Sequence, residues 1–370
     1  MPQPAHGGNL AWAAALAGCS PDAIVDFSAS ISPLGPPSSV IAAIMSQLDN
    51  LKHYPEPEYS ELRLALGHFH QIAADWILPG NGSAELLTLV GRELAQLAAT
   101  VILTPAFGDY YRTLAAYNAK VLEFPLDLGT GTRSLPTQEN ISLFPDFRFL
   151  TSEYGLLLNN PHNPTGKLFS RDSILPYLKR FALVVVDEAF MDFLPPDEEQ
   201  SLIELVQEYE NLVILRSLTK FYSLAGLRLG YAIAHPQRLA KWQSWRDPWP
   251  VNILAAKAAI AALEDTEFQN RTWKWLPEAR NQLFQGLASI PGFTPLEGSA
   301  NYLLVQCQQS TSQLQKKLLQ QHQILIRDCL SFQELGDRFF RVAVRTESDH
   351  QRLLTALKEI KNSEFEIKTV

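Results

Sequence analysis

Short apolar runs alternate with helical patterns between about residues 76 and 235. Residues 183–186 are four consecutive apolar residues, so both faces of the strand that they predict must be buried. Strands of this kind lie in parallel sheets covered by helices on both faces. The pattern therefore predicts an α/β domain with a mainly parallel sheet, and ligands of such sheets bind beyond the carboxyl ends of the strands.

Beyond Trp249 longer helical patterns replace the short apolar runs, and this change predicts a smaller α+β domain. The predicted helices lie at 251–287 and 348–361, and the predicted strands lie near 302–306, 324–327 and 339–344. The first residues are turn-rich and resemble an arm more than a domain. The predicted divisions are 1–35 for an N-terminal arm and part of the small domain, 36–247 for the large domain, and 248–370 for the small C-terminal domain.

The composition is that of a folded protein whose ligands are small molecules. Of the 370 residues, 46% are hydrophobic and 19% are charged, and the formal net charge is −8. This acidity disfavours binding to nucleic acid or to an anionic membrane, since both require basic surface. We expect no secretory signal and no membrane span. Cys19, Cys307 and Cys329 are far apart, which predicts reduced thiols and a cytoplasmic location rather than disulfides or a zinc site.

One lysine stands among hydroxyl-bearing residues and glycines in the segment 217–230, SLTKFYSLAGLRLG. A lysine that is partly desolvated or near other cations has a lowered pKa, and its neutral amine can attack an aldehyde carbon to form an imine. Ser217 and Arg228 lie on either side of Lys220 and suit a dianionic phosphate. Taken alone, the segment also fits a surface lysine beside a turn.

A carboxylate is predicted at the buried carboxyl end of the strand that contains residues 184–186. An unpaired carboxylate there would be costly, so Asp187 needs a cationic partner, and a protonated pyridine nitrogen would serve. The segment 159–166, NNPHNPTG, ends another strand in a turn whose amide side chains suit a phenolate oxygen. A turn with no ligand is the alternative for that segment.

Two further segments complete a predicted binding site. At 80–85, GNGSAE opens a helix after a strand, and the amides of a helix N-terminus attract phosphate. At 105–110, PAFGDY offers aromatic rings that can stack on a flat ligand, although core packing explains such rings equally well.

In this order, the segments GNGSAE, PAF, NNPHNPTG, VVVDEAF, SLTK and GLRLG resemble those of the fold-type I, aspartate-aminotransferase-like family of pyridoxal phosphate enzymes. The resemblance covers nearly the whole chain. It implies a large domain whose mainly parallel, seven-stranded sheet is sandwiched by helices, together with a smaller α+β domain. It also implies pyridoxal 5'-phosphate as the cofactor and a homodimer with shared active sites.

The resemblance implies a role for each residue that matches a family motif. Lys220 is expected to carry the cofactor as a Schiff base and to be catalytic. Asp187 is expected to bind the ring nitrogen, Asn163 the ring hydroxyl oxygen, and Phe107 the face of the ring. The residues expected at the cofactor phosphate are Gly82, Ser83, Ser217, Arg228 and Tyr54, the last of which reaches the site of the other subunit.

Two groups within the family, threonine-phosphate decarboxylases and histidinol-phosphate aminotransferases, share further segments with this chain. HGGN at 6–9, DFSA at 26–29, IRDC at 326–329 and the arginine-rich stretch 341–346 resemble the decarboxylases. Both substrates carry a phosphate, so a cationic cluster is needed, and Arg345 is a further candidate for it. The implied substrate-binding residues are His6, Gly7, Ser32, Arg327 and Arg341, with Arg341 on the substrate carboxylate.

The resemblance therefore implies a lyase that decarboxylates L-threonine O-3-phosphate to (R)-1-amino-2-propanol O-phosphate and carbon dioxide, a step of cobalamin biosynthesis. Decarboxylation or transamination follows according to which Cα bond stands perpendicular to the cofactor ring, and transamination is the alternative reaction. Ser30 and Ser32 stand where both groups usually carry asparagine, which keeps serine phosphate open as a substrate.

Two interpretations from other classes are weaker. A non-catalytic regulator that binds pyridoxal phosphate and acts on DNA would keep Lys220, but the sequence contains no basic helix-turn-helix segment. A metal hydrolase is disfavoured because no two histidines have ligand spacing with carboxylates on one face, and His68 and His70 are only two residues apart. The sequence thus predicts no metal site.

Overall fold

The computed structural model describes residue 4 and the ranges 6–128 and 152–368. The chain divides into two compact units. The large unit comprises Leu34–Asn163 and Lys167–Arg271, and the small unit comprises Met1–Pro33, Pro164–Gly166 and Thr272–Val370. The predicted domain limits stay predictions. The compact large unit extends to Arg271, whereas the sequence predicts a boundary after residue 247.

Helices and short strands alternate through most of the described chain. The helices are α1 Leu10–Ala17, α2 Ser38–Ser46, α3 Ser60–His70, α4 Gly82–Leu94, α5 Gly108–Ala116, α6 Arg171–Leu178, α7 Pro236–Gln243, α8 Ile253–Glu264, α9 Thr266–Ala288, α10 Thr311–His322 and α11 Glu347–Lys368. The strands are β1 Val25–Asp26, β2 Ile77–Asn81, β3 Ala99–Thr104, β4 Val121–Pro125, β5 Tyr154–Asn159, β6 Leu183–Asp187, β7 Leu212–Ser217, β8 Leu229–Ala234, β9 Phe293–Pro295, β10 Tyr302–Cys307, β11 Ile324–Leu325, β12 Arg327–Asp328 and β13 Phe339–Ala343. No helix in the described ranges is both long and apolar enough to cross a membrane.

The large unit is built on a sheet that has seven strands within the described residues, in the order β2-β8-β7-β6-β5-β3-β4. Strand β8 is antiparallel to both of its neighbours, and the other pairs are parallel. Leu183 and Val185 of β6 belong to the apolar cluster that includes residues of α4, α5 and α7, while Val184 and Val186 are also fully buried. Both faces of β6 are therefore covered, and the predicted fold class is confirmed.

The small unit has the α+β organisation that the sequence predicts. Its described strands form an antiparallel sheet in the order β12-β13-β10-β9 and a short parallel pair, β1 and β11. Helix α1 packs against α10 through small and apolar side chains, among them Ala13, Ala14 and Leu319. The three strand regions predicted between residues 302 and 344 are all present.

The helical segment predicted at 251–287 consists of two helices. Helix α8 ends at Glu264, and the side chain of Asp265 accepts a hydrogen bond of 2.9 Å from the backbone N–H of Phe268. This is an N-capping bond, which satisfies an amide in the first turn of α9 and so favours a new helix start. The apolar periodicity alone does not reveal this break.

Candidate active site

Asp187 lies at the carboxyl end of β6 and is only 5% exposed. The hydroxyl of Tyr110 donates a hydrogen bond of 2.8 Å to Oδ2, and the backbone N–H of Ala189 donates one of 3.1 Å to Oδ1. Burial raises the pKa of Asp187 to about 6, and the two donors and the charge of Lys220 oppose that rise. A carboxylate in these surroundings suits a cationic ligand atom.

Asn163 lies in the turn that follows β5, the strand next to β6. Asn159, the last residue of β5, is directly opposite Asp187 in the sheet register. The turn is tied down by Asn160, whose side chain donates to the carbonyl of Phe169 at 2.8 Å and accepts from its N–H at 2.9 Å. This anchoring holds Asn163, which is 6% exposed, in a turn beyond the strand end that neighbours Asp187.

Ser217 and Lys220 follow β7, the neighbour of β6 on its other side. Ser217 ends the strand and is 3% exposed, and its hydroxyl accepts a bond of 3.4 Å from the N–H of Thr219. The amine of the half-buried Lys220 lies 6.0 Å from the ring centroid of Phe190. Because Lys220 acts on the pKa of Asp187, the amine and the carboxylate belong to one electrostatic site.

A group of hydrogen-bond donors surrounds the start of α4. Gly82 has φ 72°, and a Cβ built on it would lie 2.5 Å from Nη2 of Arg228. A Cβ built on Gly230 would lie 2.6 Å from the backbone nitrogen of Ser83. The residue before the helix, Asn81, makes no side-chain capping bond.

This donor set fits a dianionic phosphate, because helix N-terminal amides and a guanidinium both favour negative charge. The hydroxyl of Ser217 belongs to the same end of the sheet, since Ser217 is the register partner of Gly230. The residues of the large unit therefore suit both ends of pyridoxal phosphate, with Asp187 for the ring nitrogen and the α4 start for the phosphate.

The two aromatic residues predicted at the cofactor have different surroundings. Phe107 directly precedes α5, and its ring meets that of Tyr110 edge to face, with centroids 5.6 Å apart and an interplanar angle of 86°. Tyr54 is 78% exposed, and its ring centroid is 4.7 Å from that of Trp249. The role of Tyr54 in another subunit stays a prediction.

Arg327 and Arg341 are register partners on the neighbouring strands β12 and β13 of the small unit. Arg327 is 6% exposed and donates to the hydroxyl of Ser331 at 2.6 Å. Arg341 donates to the carbonyl of Ser28 at 3.3 Å, and its guanidinium lies 4.9 Å from the ring centroid of Tyr302. Burial and the charge of Arg327 lower the pKa of Arg341. A buried cation beside a half-buried one suits an anionic ligand.

The HGGN segment packs directly against Ser28. A Cβ built on Gly7 would lie 2.2 Å from the carbonyl oxygen of Ser28, so only glycine fits there. The N–H of Gly8 donates to the Ser28 hydroxyl at 2.8 Å, and that hydroxyl donates to Asp26 at 2.6 Å. The structure brings three predicted substrate residues together, because one pocket of the small unit is lined by His6, Gly7 and Arg327.

The remaining predicted candidates of the small unit are either buried or already paired within the protein. Ser32 is 3% exposed and Ser30 is 1% exposed. Among the described residues, the buried hydroxyl of Ser30 has no hydrogen-bond partner. Arg345 pairs with Asp349 at 2.9 Å and donates to the carbonyl of Asp26 at 3.0 Å, so its guanidinium already has anionic and polar partners.

The family model of aminotransferase class I and II matches residues 22–357, which is most of the chain. This chain belongs to that family. The match confirms the family resemblance carried by the six motifs.

Relatives within the aminotransferase class I and II family include both reaction types considered above. A threonine-phosphate decarboxylase from Salmonella typhimurium is 39% identical over 361 residues, which cover 96% of this chain and 96% of that protein. Histidinol-phosphate aminotransferase 1 from a Nostoc species is 32% identical over 333 residues, which cover 89% of each chain.

A solved structure also shares the fold of this family member. The structure of L-threonine-O-3-phosphate decarboxylase from Porphyromonas gingivalis has a TM-score of 0.79 and 22% identity, and the match covers 92% of this chain and 100% of that one. At this identity the likeness shows the fold alone, which agrees with the predicted architecture.

Two sets of contacts in this family member were not predicted from the sequence. One is the hydrogen bond from Tyr110 to Asp187; the only signal for it is a tyrosine three residues after Phe107. The other is a buried ion pair in which Nε of Arg216 lies 3.0 Å from Oε2 of Glu188. The sequence feature that could have indicated this ion pair is the position of its two charged residues. Glu188 directly follows Asp187, and Arg216 directly precedes Ser217.

Proposed function

We propose that this chain is a pyridoxal phosphate-dependent lyase that converts L-threonine O-3-phosphate to (R)-1-amino-2-propanol O-phosphate and carbon dioxide. The observation that carries the proposal is the 39% identity with the Salmonella typhimurium threonine-phosphate decarboxylase over 96% of both chains. The paired arginines of β12 and β13 and the close packing of HGGN on Ser28 support it. A step in cobalamin biosynthesis and a cytoplasmic location are parts of the same proposal.

The large unit is proposed to hold the cofactor. Asp187 binds the ring nitrogen, Asn163 the ring hydroxyl oxygen, Phe107 the ring face, and Lys220 bonds to the aldehyde carbon. The start of α4, with Gly82 and Ser83, holds the phosphate together with Ser217 and Arg228. When bound, pyridoxal phosphate supplies an electron sink that takes up the electron pair left at Cα when a bond breaks.

The small unit is proposed to bind the two anionic groups of the substrate. L-threonine O-3-phosphate carries a carboxylate and a phosphate, which match the two adjacent guanidinium groups of Arg341 and Arg327. The burial of Arg327 strengthens its attraction for an anion, because Coulomb interactions are larger where water is excluded. His6, Gly7 and Ser32 complete the proposed substrate site, and the rigid HGGN turn offers its backbone to the phosphate.

The reaction needs one proton delivered to Cα. The bond between Cα and the carboxylate carbon breaks, carbon dioxide leaves, and the electron pair that stays behind takes up a proton. Lys220 would hold the bound cofactor; as a released neutral amine it would take up a proton from water, and its ammonium form would return that proton to Cα. The arginines contribute by orienting the carboxylate for cleavage, since orientation decides which Cα bond breaks.

Product analysis with the purified holoenzyme tests this proposal. Incubation with L-threonine O-3-phosphate should release carbon dioxide and aminopropanol phosphate in equal amounts. Lys220→Ala should abolish the reaction, whereas Lys241→Ala, which removes an amine of α7 beside the Trp245 ring, should not. Absence of carbon dioxide, with amino groups transferred to 2-oxoglutarate instead, would show that the decarboxylase proposal is wrong.

Histidinol-phosphate transamination is the second candidate, because the Nostoc aminotransferase is 32% identical over 89% of this chain. The same assay separates the two reactions when it includes histidinol phosphate and 2-oxoglutarate in a parallel arm. A third arm with serine phosphate measures the contribution of the methyl group, for which a selectivity of roughly 10- to 200-fold is expected.

We also propose that the protein is a homodimer. Apolar side chains of α2 and the segment after it are exposed: Ile41 is 42% exposed, Met45 66%, Leu48 49% and Leu51 58%. The exposed Tyr54 follows them, and the family resemblance assigns it to the cofactor of a second copy. Light scattering after gel filtration should give the dimer mass, and Met45→Asp should shift it to the monomer. Leu330→Asp, at an exposed leucine of the small unit, is the matched control; a monomeric wild type would refute the proposal.

A further inference from the structure

Tyr110 is a core residue of the large unit that contacts a proposed cofactor ligand through its polar end. Its side chain comes from the first turn of α5, is 2% exposed, and belongs to the apolar cluster that also contains Leu157 and Val185. At the end of this buried ring, the hydroxyl donates a hydrogen bond of 2.8 Å to Oδ2 of Asp187. A buried tyrosine hydroxyl normally has a partner, and here the partner is a carboxylate.

We propose that Tyr110 is a positioning residue that acts through Asp187, holding its carboxylate in one orientation and in the ionised state for the cofactor ring nitrogen. The inference deepens the cofactor site and, in that part, rests on the proposed function. Tyr110 itself is not proposed to touch the reacting atoms.

The orientation of Asp187 follows from its two fixed donors. Oδ2 accepts from Tyr110, and Oδ1 accepts from the backbone N–H of Ala189. Each carboxylate oxygen has two lone-pair directions, so one direction per oxygen is occupied by the protein. The carboxylate plane is then held at both oxygens, and the remaining lone pairs are available to a ligand.

The ionised state follows from the charges and donors that face Asp187. Burial favours the neutral acid and raises its pKa to about 6, and the negative charge of Asp109 on α5 acts in the same direction. The donors Tyr110 and Ala189 and the positive charge of Lys220 oppose this rise. The hydrogen bond from Tyr110 is the largest of the effects that lower the pKa of Asp187. Loss of the Tyr110 hydroxyl should therefore raise that pKa further.

The consequence for the bound cofactor concerns the position of one proton. An ionised Asp187 stabilises a protonated ring nitrogen, which makes the ring a better electron sink. A more basic carboxylate would draw that proton to itself and leave the ring neutral. Tyr110 therefore favours the charged form of the pair, and the same residue packs edge to face on Phe107.

The substitution Tyr110→Phe removes the hydroxyl and keeps the ring. The matched control is Tyr111→Phe, because Tyr111 is the next residue of α5 and its hydroxyl donates to Glu123 at 2.6 Å, away from Asp187. The first measurement uses the apo-protein, in which the unfolding free energy is followed from pH 4 to pH 8. The second uses the holoenzyme, with kcat, KM and the pH titration of cofactor absorbance.

The expected pH dependence has a definite sign. A raised pKa in the folded state means that Asp187 favours folding only while it is protonated, so stability falls as pH rises from 3.8 to about 6. In Tyr110→Phe this fall should continue to higher pH, so its deficit relative to wild type should grow above pH 6. Tyr111→Phe should give a deficit that does not grow above pH 6, because Asp187 keeps its Tyr110 donor in that variant.

In the holoenzyme, Tyr110→Phe should lower kcat about tenfold with little change in KM, which corresponds to the loss of one hydrogen bond to a charged group. It should also shift the absorbance titration, and Tyr111→Phe should do neither. A pH-independent deficit, or an unshifted titration, would overturn the inference even if decarboxylation is observed. Because the apo-protein measurement involves no cofactor, its result for Tyr110 holds even if the proposed reaction fails.

Discussion

Substitution of Gly230 by alanine should weaken cofactor binding, because this glycine lies against two other segments of backbone. A Cβ at Gly230 would lie 2.6 Å from the nitrogen of Ser83, 2.8 Å from the carbonyl oxygen of Arg216 and 3.0 Å from the carbonyl carbon of Gly82. All three atoms belong to the backbone, so no side-chain rotation relieves the contact. The start of α4 or the end of β7 must move instead.

The size of the effect follows from the cost of overpacking, which is about 1–3 kcal/mol for an inserted methylene. The displaced atoms are next to the proposed phosphate ligands Ser83 and Ser217, and Ser217 is the register partner of Gly230. If the overpacking destabilises only the cofactor-bound protein, the dissociation constant of pyridoxal phosphate should rise roughly 5- to 150-fold. Urea unfolding of the apo-protein measures the part of the cost that falls on the fold itself.

Gly226→Ala is the matched control, four residues earlier in the same segment. A Cβ at Gly226 would meet no atom within 4 Å, so its effect on stability should stay within about 0.5 kcal/mol. Titration of both variants with pyridoxal phosphate, followed by absorbance, gives the comparison. Equal affinities in the two variants would refute the argument from close approach, because only Gly230 is crowded.

Three further predictions concern two residues of the small unit, Ser28 and Arg341, and one residue of the large unit, Glu188. Ser28→Ala removes the acceptor of the Gly8 N–H, so KM for L-threonine O-3-phosphate should rise while cofactor affinity is unchanged; an unchanged KM would contradict a role for the HGGN turn. Arg341→Lys loses the planar fork and should lower kcat/KM by roughly 30-fold or more, about 2 kcal/mol, in the same steady-state assay. Burial raises the pKa of Glu188 to about 7, so the unfolding free energy of the apo-protein should fall as pH rises from 4.5 to about 7. In Glu188→Gln the unfolding free energy, measured by urea titration, should change less with pH across this range. An unchanged pH dependence would contradict the assignment to Glu188.

The sequence could predict the residues at the ends of neighbouring strands. Asp187, Ser217 and Lys220 all follow buried apolar runs, and the carboxyl ends of adjacent parallel strands lie at one edge of a sheet. Strand periodicity and the order of the motifs were therefore sufficient for the large unit's fold and for grouping its polar residues. The same argument places Asn163 in the turn after β5.

Contacts between distant segments could not be predicted in this way. Tyr110 and Asp187 are 77 residues apart, and their bond depends on how α5 is rotated against the sheet. Gly7 and Ser28 are separated in the chain by α1 and β1, and the apolar periodicity of those elements does not indicate that the two residues meet. The break between α8 and α9 coincides with a capping side chain, Asp265, and the helical pattern of 251–287 does not show where one helix ends and the next begins.

The ends of β6 and β7 carry two sets of polar residues whose positions follow from strand alternation. Asp187 lies two residues after Val185, and Ser217 lies two residues after Leu215, so each shares a face of the sheet with that residue. Val185 and Leu215 belong to the apolar cluster that contains residues of α4 and α5. Arg216 precedes Ser217 and so points to the opposite face, where it pairs with Glu188 at 3.0 Å and with Asp192 at 2.5 Å. This buried ion pair joins the same two strand ends on the face away from the proposed cofactor ligands. Breaking it should therefore loosen Asp187 and Ser217 together, which makes the cofactor site depend on charges that never contact the cofactor.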